Sequence, residues 1–109
     1  MNETKFLELS ENELIKLSDL IENNDFESVF DVEYSDGILT IEIFDSSEQY
    51  VINKHSASQK IWFSSPKSGA NYFAYDESKA EWLSDDGAQL QDFLIAQLTT
   101  NFNFNIKND

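Results

Sequence analysis

At Val29 the spacing of apolar residues switches from helical to extended, and that switch decides the architecture. Before it, from Glu3 to about Asn24, Leu7, Leu14, Leu17 and Ile21 share one helical face while Glu8, Glu11, Asp19 and Glu22 share another, which predicts an amphipathic helix with an acidic outer stripe. After it the period is two: Phe30, Val32 and Tyr34 alternate with Asp31, Glu33 and Ser35, the pattern of a half-buried strand with an acidic outer face. The pair Asp36-Gly37 tolerates positive φ and signals a tight hairpin, so residues 38–44 should return antiparallel to that strand. A polar turn at Asp45-Ser46-Ser47 then leads to further strands at 49–53, 60–64, 71–75 and 81–83.

Asp85-Asp86-Gly87 precedes Leu90, Phe93, Leu94 and Leu98, an apolar helical set whose N-terminus favours those carboxylates. The tail beyond it, about residues 101–109, alternates Phe102, Phe104 and Ile106, and should lie along the domain over apolar surface between the helices. A meander of short-looped strands is largely antiparallel, and two apolar helix stripes can cover one face of it. The expected fold is therefore α+β: a two-layer α/β sandwich with the N- and C-terminal helices on one face of an antiparallel sheet of about six strands. It forms a single domain over residues 1–109. The other sheet face is left to water and becomes a candidate functional surface.

Composition narrows the function. Net charge is −14, all basic residues are lysine, and there is no cysteine. Nucleic acids and anionic membranes need a positive stripe and are excluded as partners, whereas cations and basic proteins fit. An acidic mimic of nucleic acid needs charge spread along a long face, but about half of the acids here lie in the first third of the chain. No disulfide, thiolate zinc site or cysteine nucleophile can form. The acidic N-terminus is unlike a secretory or mitochondrial presequence, and no apolar run is long enough to span a bilayer, so the chain reads as cytosolic or already processed. Glycine occurs only at Gly37, Gly69 and Gly87, each at a turn, which leaves no phosphate-binding loop. His55 lacks the sequence context of a nucleophile elbow, and no EF-hand loop is present, so the chain is not expected to be an enzyme or a calcium sensor.

What remains is a run of carboxylates, Asp19, Glu22, Asp25, Glu27, Asp31 and Glu33, leading off the first helix and onto the first strand. Helix neighbours three apart lie about 5–6 Å from each other, and Asp31 and Glu33 about 7 Å. At that range like charges repel by about 0.6 kcal/mol in bulk water, and several-fold more at a protein surface. Three readings stand: a solvated face that aids solubility, a shallow all-oxygen site for hard cations, or a docking ridge for a basic partner. Scattered carboxylates give weak, many-site binding that does not rank iron above calcium or magnesium.

In the strand 60–64, Trp62 points away from Ile61 and Phe63, hence toward water if those two face the helices. It is either an interface anchor or an indole shielded by neighbouring strands. His55, in what reads as a polar loop, is either a solvated side chain or an auxiliary metal ligand.

Four stretches, the acidic first helix, DVEYSDGILTIEI, VINKHSASQKIWFSSPKSG and EWLSDDG, together resemble the frataxin family, including its bacterial CyaY members, over nearly the whole chain. The central stretch is the specific one, with Asn-Lys, the Ile-Trp pair, Ser-Ser-Pro and Ser-Gly at the family's spacing. The resemblance implies the sandwich already read from the periodicities. It further implies an iron-binding accessory protein of iron–sulfur cluster assembly that docks on the cysteine desulfurase and scaffold complex as iron donor or regulator. Carried over by position, Asp19, Glu22, Asp25, Glu27, Asp31 and Glu33 match the iron-binding ridge, and Asn53 and Trp62 the contacts to the assembly machinery. The metal so implied is Fe2+ or Fe3+, held weakly and replaceable by other divalent cations, on a monomer expected to be able to oligomerise with iron. The implied compartment is the bacterial cytoplasm or, for a mature processed form, the mitochondrial matrix. Iron oxidation and storage is the alternative activity, but the Glu-x-x-His motifs of di-iron bundles are missing. Three positions depart from the pattern: Lys60 stands where the family has glutamine, Ala70 where it has proline, and Tyr72 where it has a basic residue or histidine.

Overall fold

The computed structural model describes residues 1–106. Helix α1 (Glu3–Asn24) is followed by β1 (Phe30–Ser35), β2 (Ile38–Ile43), β3 (Gln49–His55), β4 (Lys60–Ser65), β5 (Gly69–Asp76), β6 (Glu81–Leu83) and helix α2 (Leu90–Asn101). The six strands form one sheet in the order of the sequence, every neighbouring pair antiparallel. Both helices lie on one face of it, as the periodicities predict. Strands β3 and β5 run longer than expected: β3 continues to His55, whose register partner is Lys60, and β5 begins at Gly69, paired with Ser65.

The stripe of α1 that meets the sheet is Phe6, Ser10, Leu14, Leu17, Ser18 and Ile21, with Leu7 only half-buried. Phe6 takes the place expected of Leu7 because its ring packs edge-on against Trp82 of β6, centroids 5.9 Å apart, which sets the rotation of the helix. Ser10 sits within the stripe with its hydroxyl donating to the Leu7 carbonyl at 3.2 Å, so it hides its polar atom and leaves room for close approach to the sheet. The sheet contributes Leu39, Ile41, Tyr50, Ile52, Ile61, Phe63, Phe73 and Trp82, and α2 contributes Leu90, Leu94 and Leu98.

The start of α2 differs from expectation. Its cap is Gln89, whose side-chain oxygen accepts from the Asp92 N–H at 2.8 Å. Asp86 instead takes a hydrogen bond from the Ser84 hydroxyl, which holds its carboxyl below the usual range, within a turn that Gly87 closes at φ +89°. Asp86 is thus engaged before the helix begins, and Asp85, exposed beside it, also lies ahead of the cap.

The tail does cover apolar surface. Phe104 is buried, and Phe102 and Phe104 both meet the ring of Phe30 edge-on at 5.6 Å. Residues 107–109, also part of the expected tail, lie outside the described residues. The Ser-Ser-Pro-Lys-Ser-Gly turn is tied to α2 through Gln97. Its oxygen accepts from the hydroxyls of Ser65 (2.8 Å) and Tyr50 (3.2 Å), and its amide donates to Ser68 (2.8 Å). Lys67 pairs with Glu48 at 3.1 Å and sits 5.6 Å over the Phe102 ring. Much of the distinctive central motif therefore holds the fold together.

One carboxylate strains it. Glu13, half-buried on α1, has a side-chain oxygen shielded from water with no hydrogen-bond partner among the described residues. Desolvation raises its pKa, and the Lys16 charge offsets this only in part. A raised folded-state pKa gives stability at low pH that is lost as pH rises through it, so the ionised side chain costs stability at neutral pH. Glu13→Met should gain about 1 kcal/mol at pH 7, and the gain should shrink toward about pH 3, below the ordinary carboxyl range, where the parent carboxyl is neutral in both states. Urea denaturation at the two pH values checks it.

Candidate cation ridge and open sheet face

The hairpin at Asp36-Gly37 fixes where the acids go. Both residues have positive φ, +51° and +77°, so Ser35 pairs with Ile38, Glu33 with Thr40 and Asp31 with Glu42. Asp31 and Glu33 project from the edge strand onto the open face, and both are exposed. Glu42 stands directly across from Asp31, a pair of like charges about 5 Å apart at Cβ. Sequence reasoning missed Glu42, although a two-residue turn at 36–37 already dictates that pairing. Glu33 and Glu42 line a shallow depression of about 300 Å³ with Ser35, Asp36, Ile38 and Thr40.

The other ridge residues lie elsewhere. Asp19 and Glu22 are exposed on α1, in the second layer, and Glu22 accepts from the Ser18 hydroxyl at 3.2 Å. Glu27 is exposed in the connecting loop. Asp25 ends α1, and its two oxygens accept from the backbone N–H groups of Val29 (2.8 Å) and Phe30 (2.9 Å). It is a brace for the chain reversal. Among the described residues no three Asp, Glu or His side chains converge on one point suited to a metal ion. The donors are all oxygens and suit hard cations, spread around one edge of the sandwich rather than caged.

Further along the open face, Trp62 is flanked by its register partners Asn53 on β3 and Tyr72 on β5. The structure thus brings Asn53 and Trp62 side by side. Asn53 is half-buried, with its amide donating to the Lys54 carbonyl at 3.1 Å, and Trp62 is 36% exposed. Tyr72 meets the indole edge-on at 5.4 Å. The opposite neighbour is a correction to the sequence reading. His55 closes a strand rather than floating in a loop, and its imidazole stacks on Trp62 with centroids 3.8 Å apart and planes 15° from parallel. Its Nδ1 accepts from the Ser58 N–H at 3.3 Å and contacts the Ser58 hydroxyl at 2.8 Å. That Ser–His contact closes the β3–β4 turn. Among the described residues no carboxylate hydrogen-bonds the far side of the ring.

The molecule presents surfaces: an acidic edge and, continuous with it, an open sheet face centred on an indole. That defines an acidic α/β sandwich with one open sheet face. A family description for the frataxin-like domain matches residues 1–104, and the chain belongs to the frataxin family. The CyaY-family frataxin of Psychromonas ingrahamii shares the fold, with a TM-score of 0.84 at 19% identity over 98% of this chain and 97% of that one. Trimeric frataxin from Saccharomyces cerevisiae, solved with its full-length N-terminus, gives 0.72 at 34% identity over 84% of this chain and 77% of that one. The yeast protein complexed with ferrous iron gives 0.66 at 32% identity, over 92% and 85%. Mitochondrial frataxin of Dictyostelium discoideum is 42% identical over 72 residues, 65% of this chain and 37% of that protein, so the match spans little more than a third of that relative's length. No helix among the described residues is long and apolar enough to cross a membrane.

Proposed function

We propose that this chain is an iron-binding accessory protein of iron–sulfur cluster assembly. It docks through the open sheet face on the cysteine desulfurase and scaffold complex and serves as iron donor, regulator of the desulfurase, or both. The observation that carries this reading is the continuity of the open face, from Asp31, Glu33 and Glu42 on β1 and β2 to Asn53, Trp62 and Tyr72 on the inner strands. One surface can hold cations at its edge and a protein at its centre. The ferrous complex of yeast frataxin supports the choice of iron. Asp19, Glu22, Asp25, Glu27, Asp31 and Glu33 are the proposed ligands, joined by Glu42, and Asn53 and Trp62 the proposed docking contacts. Binding is weak, open to Fe2+, Fe3+ and other divalent cations, and stabilises the fold by relieving the Asp31–Glu42 repulsion. The trimeric yeast protein supports self-association, which we propose accompanies iron loading. The role is that of a cytoplasmic protein in a bacterium, or of the mature form in a mitochondrial matrix.

An anaerobic Fe(II) titration followed residue by residue by nuclear magnetic resonance tests it, repeated with the purified desulfurase complex. Iron should broaden Asp31, Glu33 and Glu42 first, because the Asp25 oxygens are engaged, and the desulfurase should perturb Asn53 and Trp62. Iron shifts at the ridge with none from the desulfurase would reduce the protein to a generic cation sponge.

A further inference from the structure

The open face carries a second feature, at the opposite end from the acids. Lys60 and His55 are register partners across β3 and β4, on the same face as Trp62. In a chain of net charge −14, Lys60 has no ion pair among the described residues, as is true of Lys16, Lys54 and Lys79, but of these it alone stands on the open face beside Trp62. His55 engages the Ser58 N–H and hydroxyl through Nδ1, and its Nε2 has no hydrogen-bond partner among the described residues; with Nδ1 accepting from the Ser58 N–H, the proton of the neutral ring sits on Nε2. The stack on Trp62 fixes the ring. A lysine ammonium and an imidazole Nε2, both without a partner among the described residues, thus flank the exposed indole.

We propose that Lys60 and His55 form a carboxylate-receiving subsite beside the Trp62 anchor, occupied by an aspartate or glutamate of the docked protein. The proposal rests on the docking reading above and specifies the partner's chemistry. Along the strands, Asp31, Glu33 and Glu42 lie toward one end of the open face and Lys60 and His55 toward the other, with Asp36 and Asp76 at its margins, so the fitting partner sets a basic patch on the first and a single carboxylate between Lys60 and His55, across an apolar contact. Such a pattern fixes orientation as well as affinity. A phosphate polyanion does not fit, because the rest of the surface would repel it.

The test is the affinity of Lys60→Glu, Lys60→Arg and Trp62→Ala for the desulfurase–scaffold complex of the same organism, with thermal melts to confirm that each variant is folded. Long-range electrostatics alone predicts that Lys60→Glu, by making the chain more acidic, binds a basic partner more tightly. The subsite predicts the reverse: about tenfold weaker binding for Lys60→Glu, with Lys60→Arg within about twofold of the parent. Unchanged or tighter binding of Lys60→Glu overturns the subsite. If Trp62→Ala still abolishes binding in that case, docking through this face stands and only the subsite falls. If Trp62→Ala is also without effect, both fall.

Discussion

Ending the chain after Asn101 should cost about 5 kcal/mol, close to the whole stability of a domain of this size. The removed segment carries Phe104, 2% exposed, and Phe102, and both rings pack edge-on against Phe30. Phe102 also meets Tyr50 at 6.3 Å and lies beneath Lys67. Emptying such a site costs about 3–5 kcal/mol for a buried phenylalanine and less for a half-buried one. Phe104→Ala alone should therefore lose about 3 kcal/mol, and Ile106→Ala clearly less. Urea unfolding followed by circular dichroism measures all three. A truncated chain that unfolds within 1 kcal/mol of the parent would mean that the tail merely rests on the core.

The tail shows how far the sequence reads and where it stops. Alternation of Phe102, Phe104 and Ile106 announced an apolar face, and the switch of period at Val29 announced the sandwich, because both are local repeats. Helix rotation was less legible: Leu7 and Phe6 are adjacent apolar residues, and only a distant ring, Trp82, decides between them. The same holds for the open face. Trp62 could be placed on it from alternation in one strand, but the stack with His55 needs the pairing of β3 with β4, seven positions away in sequence. The ridge was legible as composition and not as geometry. Six carboxylates in a run suggest one site, yet the chain reverses through residues 25–29 and puts them in two layers, with Glu42 arriving from the next strand.

Asp25 makes that difference measurable. Its two oxygens hold the N–H groups of Val29 and of Phe30, whose side chain is 8% exposed, so removing them leaves donors stranded where the chain turns from helix into core strand. Hydrogen bonds to a charged acceptor contribute roughly 1.5–3 kcal/mol each, and water recovers part of that at a loop, so Asp25→Ala should lose about 3 kcal/mol. Asp25→Asn, which keeps one acceptor oxygen, should lose about half as much. Asp31→Asn should behave oppositely. Asp31 faces Glu42 across the strands with no cation among the described residues beside it, so neutralising it should leave stability unchanged or raise it by up to about 0.5 kcal/mol. Denaturant midpoints with and without Fe(II) separate the two roles. Asp31→Asn should lose most of the stabilisation that iron confers, while Asp25→Ala, starting from a weaker fold, should keep it. If Asp25→Ala folds as well as the parent and yet no longer responds to iron, then Asp25 is a ligand first and a brace second, and the cation site belongs at the end of α1 instead of on the sheet.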